Sequence, residues 1–224
     1  MRFALAYSCG KDSTFALHKM LAAGHEPVCL ITMFREDQER SWFHGADRSM
    51  LKAYQKALGL PMLIVPASGS DYAAKFEQAL TEAAQLGAAA CAFGDIDLEP
   101  SRRWQEARCK NTGLASLFPL WQRPRREIID DILSCGYNCL IKTINTEKLG
   151  PAPAAKAFCT RHLGQFVTPE FLDELEDLGL DACGENGEYH TLAVAGPVFR
   201  QPLCFTTGAI LALPGHKTIT VTFS

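Results

Sequence analysis

The chain lacks the features that mark a membrane protein, a secreted scaffold or a nucleic-acid binder. No run approaches the roughly 18 apolar residues that a membrane-spanning helix needs. The N-terminus enters a short strand pattern without the layout of a signal peptide. No two cysteines stand in Cys-x-x-Cys spacing, and the nine present are an odd number, which opposes a complete disulfide framework. Cys135 and Cys139 lie four apart with no second pair beside them to complete a zinc site. Surplus positive charge is missing as well: 22 basic residues against 25 acidic ones leave a net charge of −3. The basic run Arg123-Pro124-Arg125-Arg126 is too short to make a field that recruits nucleic acid. These absences lead us to expect a cytoplasmic protein with reduced, partly buried thiols and neither a membrane nor a nucleic acid as partner.

Apolar material is ample, at 47% of 224 residues, and it is organised. Short β-type runs at Phe3 to Tyr7, Val28 to Met33, Met62 to Val65 and Ala88 to Phe93 are almost wholly apolar. Between them lie stripes of helical period: Leu17, Met20 and Leu21, stopped by Gly24; Met50, Leu51, Tyr54, Ala57 and Leu58, stopped by Gly59; Tyr72, Phe76, Leu80 and Ala83, capped by Asp71 or Ser70 and ending near Gly87. Strands alternating with helices predict βαβ crossovers, and unbroken apolar strands predict a sheet covered on both faces. The expected fold is therefore α/β, a doubly wound parallel sheet over residues 1–121. A smaller C-terminal α+β domain is expected over 122–224. There we expect a helix through Ile128, Ile129, Ile132 and Leu133, a strand from Tyr137 to Ile144, and a loop from Asn145 to Pro153. A Thr168-capped helix should bury Phe171, Leu172, Leu175 and Leu178, and strands at Cys204 to Leu211 and Lys217 to Phe223 should pair around Pro214-Gly215.

The sharpest local signal is Ser8-Cys9-Gly10-Lys11-Asp12-Ser13-Thr14, between the first strand and the first helix. Backbone N–H groups at a helix start, with roughly half a positive charge from the helix dipole, form a ready anion site. Lys11 adds a compact cation, and Ser8 and Ser13 add hydroxyl donors. The loop is not of the Walker type, which wants a glycine at the position of Leu5 and Ser or Thr at the position of Asp12. It resembles the Ser-Gly-Gly-Lys-Asp-Ser loop of ATP pyrophosphatases. Cys9 stands where that family has glycine, and a left-handed backbone there would cost on the order of 1 kcal/mol or more.

Trp42-Phe43-His44, Gly94-Asp95-Ile96 leading into Arg102, Arg103, Glu106 and Cys109, Phe118-Pro119-Leu120-Trp121, and Cys183 to Thr191 extend the likeness. Together these look like the diphthine–ammonia ligase family, over roughly residues 3–200. The resemblance implies an ATP-dependent amidation with AMP and pyrophosphate as products. Its implied cofactors are ATP and Mg²⁺, its nitrogen donor ammonia, and its acceptor a carboxylate on a translation elongation factor, with homodimerisation left open. Lys11 and Ser13 would hold the β and γ phosphates, within a nucleotide site of Ser8, Cys9, Gly10, Lys11, Asp12, Ser13 and Thr14. Asp12 would orient the loop or contact magnesium, and Gly94 and Asp95, at another strand end, would meet the metal or the nucleotide. His44 would contact adenosine or substrate, or simply pack. Glu185 and Glu188 would hold the incoming amine, an ammonium ion or the substrate. His190 would serve as an acid–base group or as a structural histidine. Two other readings keep the nucleotide site: a pyrophosphatase acting on another carboxylate, and a non-catalytic adenine-nucleotide sensor.

Overall fold

A computed structural model describes residues 1–150 and 152–223 of the chain. They divide into two compact units: Met1–Arg123 with Val198–Arg200, and the rest from Pro124 onward.

The first unit carries, in chain order, β1 (Arg2–Ala6), α1 (Lys11–Ala22), β2 (Glu26–Arg35), β3 (Arg40–Ser41), α2 (Arg48–Leu58), β4 (Met62–Pro66), α3 (Tyr72–Gln85), β5 (Ala90–Ala92), α4 (Glu99–Thr112) and β6 (Ala115–Leu117). The strands run parallel in the order β4-β2-β1-β5-β6, and short β3 joins the far end of β2 antiparallel. The chain winds outward from β1 on one side and then returns to its other side at β5. That reversal opens a crevice at the carboxyl ends of β1 and β5, where doubly wound sheets take their ligands. The expected fold class is the observed one.

Local chemistry accounts for the elements. Asp47 caps α2 by accepting from the Met50 N–H at 2.9 Å, and Gly59 ends it in the left-handed conformation. The stripe Met50, Leu51, Tyr54, Ala57 and Leu58 is fully buried. Two details differ from expectation. Leu21 is exposed, because α1 turns only Leu17 and Met20 of that stripe inward. The Asp71 carboxylate leaves α3 uncapped and instead accepts from the Ser68 N–H at 2.6 Å.

The second unit carries α5 (Arg125–Ser134), β7 (Asn138–Asn145), α6 (Ala152–His162), α7 (Pro169–Asp177), β8 (Tyr189–Ala195), β9 (Phe205–Leu213) and β10 (His216–Phe223). Its sheet is antiparallel in the order β8-β7-β10-β9, with a tight turn at Pro214-Gly215. Phe158 of α6, Phe171 of α7 and Tyr189 of β8 pack ring against ring at 5.9 and 5.1 Å. Thr168 caps α7, its hydroxyl accepting from the Phe171 N–H at 3.3 Å.

Two expectations for this unit need correction. The stretch read as loop up to Pro153 already belongs to α6 from Ala152, since a proline in the first turn starts a helix as readily as it ends one; Pro151 lies outside the described residues. Leu178 is exposed because α7 stops at Asp177. The two arginines of the basic run that fall here are held by carboxylates: Arg125 by Asp181 at 2.7 Å, and Arg126 by Asp130 and Glu176 at 3.0 and 2.8 Å.

Candidate active site

The crevice of the first unit is built on the turn from β1 into α1. Cys9 adopts φ +71 and is fully buried, with its carbonyl accepting from the Tyr54 hydroxyl at 3.4 Å. Gly10 precedes the helix in an extended conformation, and no side chain caps it. A Cβ on Gly10 would lie 2.7 Å from His44 Cε1 and 2.8 Å from His44 Nε2, so the imidazole rests directly on the loop. The loop is also laced internally. The Ser8 and Ser13 hydroxyls lie 3.1 Å apart, Ser13 Oγ donates to the Gly10 carbonyl at 3.2 Å, and Ser8 Oγ accepts from the Gly10 N–H at 3.4 Å. Thr14 is fully buried with its hydroxyl 3.0 Å from that of Tyr7, while Thr32 donates to the Tyr7 carbonyl at 2.7 Å.

Lys11 is only 5% exposed, and its ammonium donates to both Asp12 carboxylate oxygens at 2.7 and 2.8 Å. A buried ammonium in the first turn of a helix opposes the helix dipole. Asp12, half-buried beside it, offsets that opposition.

Across the crevice, Gly94 leaves β5 so close to α1 that a Cβ would meet Ser13 N at 2.8 Å and Asp12 C at 2.9 Å. Asp95 follows, half-buried, and accepts from Gln105 Nε2 of α4 at 2.7 Å. Burial pushes the Asp95 carboxyl above its usual range, and the nearby charge of Asp12 pushes the same way. The other amide atom of Gln105, Oε1, is buried without a hydrogen-bond partner. Arg102 pairs with Glu106 at 2.7 Å. It also lies over the rings of Phe118 and Trp121, with its guanidinium carbon 5.1 and 4.6 Å from their centroids.

Glu185, Glu188 and His190 belong to the second unit. The turn that carries them is organised by Asp181, which accepts from the Cys183 and Glu185 N–H groups at 2.9 and 3.0 Å and from Arg125. Glu188 is not a solvated turn residue. It is 4% exposed, lies 3.2 Å from Lys148 Nζ and accepts from the Asn186 N–H at 3.1 Å. His190 is half-buried on β8, opposite Thr143. Among these side chains Glu185 is the half-exposed carboxylate.

Sequence reading missed Thr32, Tyr54, Gln105, Lys148 and Asp181. Tyr54 was visible only as a member of a helical stripe. The other four are polar residues that each take a partner at least 10 positions away. No spacing rule reaches that far.

Residues 1–116 match the diphthamide synthase N-terminal domain, and residues 152–209 match the diphthamide synthase C-terminal domain. The chain belongs to the diphthamide synthase family. Among proteins similar to it, the diphthine–ammonia ligase of Schizosaccharomyces pombe is 26% identical over 89% of this chain. Those of Bos taurus and Homo sapiens are 23% and 22% identical over 94% of it. The chain spans 35% of the fission-yeast protein and 85% of each mammalian one. A solved structure described as a predicted subunit of tRNA methyltransferase from Methanocaldococcus jannaschii aligns with a TM-score of 0.46 at 14% identity, over 90% of this chain and 99% of that one. Among the described residues, no helix is long and apolar enough to cross a membrane.

Three expected outcomes follow from this geometry. Cys9→Gly and Cys9→Ala both remove the thiol but differ in the cost of a left-handed backbone. The alanine variant should be less stable by about 1 kcal/mol, read from urea midpoints. Equal midpoints would place Cys9 outside the left-handed region in solution.

A carboxyl raised in the folded state favours folding when protonated and opposes it once ionised. The penalty from Asp95 therefore grows as pH climbs from the ordinary carboxylate range through its raised value, then stays constant. Asp95→Asn should be more stable than the parent at neutral pH, and the gain should fade below the ordinary carboxylate range. A pH-independent difference would refute the assignment.

Glu188→Gln leaves an acceptor for Asn186 but uncouples Lys148, and should cost about 1–2 kcal/mol. The one-third exposure of the Lys148 side chain keeps the loss below the roughly 3–5 kcal/mol of a fully buried pair. A thermal-melting temperature matching the parent would show that the pair contributes nothing.

Proposed function

We propose that this protein is an ATP-dependent carbon–nitrogen ligase that adenylates a carboxylate and passes the acyl group to ammonia. The observation that carries this reading is the buried Lys11 ammonium at the uncapped start of α1, in the crevice between β1 and β5. A polyanion could meet the ammonium and the helix start together, and family membership supports ATP in that role. The names of its relatives support diphthine as the acceptor.

The chemistry balances in two steps. A carboxylate oxygen attacks the α phosphate, forming an acyl-adenylate and releasing pyrophosphate. Ammonia then attacks the acyl carbon, the acyl–oxygen bond breaks, and amide, AMP and a proton leave.

In this reading Ser8, Gly10, Lys11 and Ser13 hold the departing pyrophosphate. Cys9 and Thr14 fix the loop from inside, and His44 covers it. Asp12 holds Lys11 in place until nucleotide arrives. Asp12 and Asp95 also suit Mg²⁺, because their mutual repulsion is relieved by a cation, and magnesium sites combine one or two carboxylates with phosphate oxygens. Bound there, the ion would neutralise charge on the leaving pyrophosphate. Glu185 is the candidate for receiving the amine, with His190 on the following strand as an acid–base group, and Glu188 supports the turn. The acidic net charge and the engaged arginines favour a protein acceptor over a nucleic acid.

The test is the nucleotide product formed from α-labelled ATP with magnesium and ammonium, with and without elongation factor carrying diphthine. AMP and pyrophosphate formed only with the factor is the expected result, and Lys11→Ala should lower it by at least 100-fold, on the order of a lost transition-state charge contact. ADP, or full turnover by the Lys11 variant, would overturn the reading.

A further inference from the structure

The antiparallel sheet of the second unit has two edges, and they are treated differently. The β8 edge, Tyr189 to Ala195, is largely buried. The β9 edge is exposed along almost its whole length, on both faces. Among the described residues no strand pairs with its outer side.

β9 reads Phe205-Thr206-Thr207-Gly208-Ala209-Ile210-Leu211-Ala212-Leu213. Ile210, Leu211 and Leu213 are 41%, 46% and 52% exposed, and Phe166, packed edge-on against Phe205, is 39% exposed. No charged residue occurs from Gln201 to Gly215. Proteins usually protect a free sheet edge with lysine, proline, a bulge or a covering segment. Inside this strand there is neither charge nor proline, and its one irregularity lies on the inner side, where Ile219 and Val221 of β10 pair.

We propose that β9 is a homodimer edge, pairing antiparallel with β9 of a second copy of this chain across a twofold axis. The absence of charge selects this occupant. In an antiparallel pair across a twofold axis the residue at the axis meets its own copy, and every other residue meets the one equally far beyond the axis. A strand of Phe, Thr, Gly, Ala, Ile and Leu therefore makes no like-charge contact in any register. An acidic or basic partner segment would find no counter-charge on this edge. Pairing would join the two sheets into one of eight strands, satisfy a row of backbone N–H and C=O groups, and cover Ile210, Leu211 and Leu213 from both faces. The contact is modest: nine residues a side fall short of the roughly 20–30 of a standard interface. Association is therefore expected to depend on concentration through the micromolar range.

The experiment is sedimentation equilibrium of the full chain from low to high micromolar concentration, beside the double variant Ile210→Lys, Leu211→Lys. Both side chains are exposed in the monomer, so circular dichroism and melting temperature should be unchanged at low concentration. The parent should rise from 24.6 kDa toward twice that mass, while the lysine variant should stay monomeric throughout. A parent that remains monomeric overturns the proposal. So does a dimer that the two lysines leave intact, and so does open-ended growth beyond a dimer. None of these readouts involves nucleotide turnover, so the proposal fails or stands independently of the ligase reading.

Discussion

The tightest approach of backbone to backbone in the candidate site is at Gly94. Gly94 leaves β5 where an added methyl group would sit 2.8 Å from the Ser13 nitrogen, so the segment after β5 is pressed onto the first turn of α1. Everything at the crevice depends on that approach. It makes Asp95 the neighbour of Asp12 and sets the distance between the two strand ends that a nucleotide would bridge. It also launches α4 from a fixed point, which brings Gln105 to Asp95 at 2.7 Å. The small residues of β5, Ala90, Cys91 and Ala92, are fully buried beside β1 and serve the same end, since larger side chains would hold the strands' surroundings apart.

How much of this was legible follows from the range of each signal. Apolar runs and period-3.6 stripes are local, and they located β1, β2, β4, α2, α3 and the β9–β10 pair to within a few residues. The phosphate loop was legible because its chemistry is contiguous. Gln105, Lys148 and Asp181 were not, because a polar residue acquires its role from a partner the sequence does not place. α6 was hidden by Pro153 in its first turn. The exposure of β9 was illegible for a different reason: an apolar strand looks the same in sequence whether it faces a core or a partner.

The turn from Asp181 to Glu188 shows how glycine and acid can make a rigid element. Gly184 and Gly187 both have positive φ, and an added Cβ on Gly184 would strike the Tyr189 ring at 2.8 Å. Tyr189 in turn donates its hydroxyl proton to the Ala182 carbonyl at 2.7 Å. With Asp181 collecting two backbone N–H groups and Glu188 tied to Lys148, the turn is held at both ends. Glu185 is thereby presented on a fixed support, which a general feature of acidic loops, free solvation, would not provide.

Three local costs meet in the first unit's crevice: a left-handed cysteine, a buried ammonium at the positive end of a helix, and a carboxyl raised by burial next to another carboxylate. Much of the rest of that unit agrees with its local chemistry, as the Asp47 cap, the Gly59 terminator and the buried stripe of α2 show, although Glu39 and Gln122 are left-handed as well. Each cost alone could be an accident of packing. Their concentration in one place cannot be explained by stability, since substitution at any of the three could relieve it. The proposed nucleotide, with its several negative charges and an accompanying cation, would account for it. Such a ligand would turn the lysine, the uncapped helix and the paired carboxylates from liabilities into contacts.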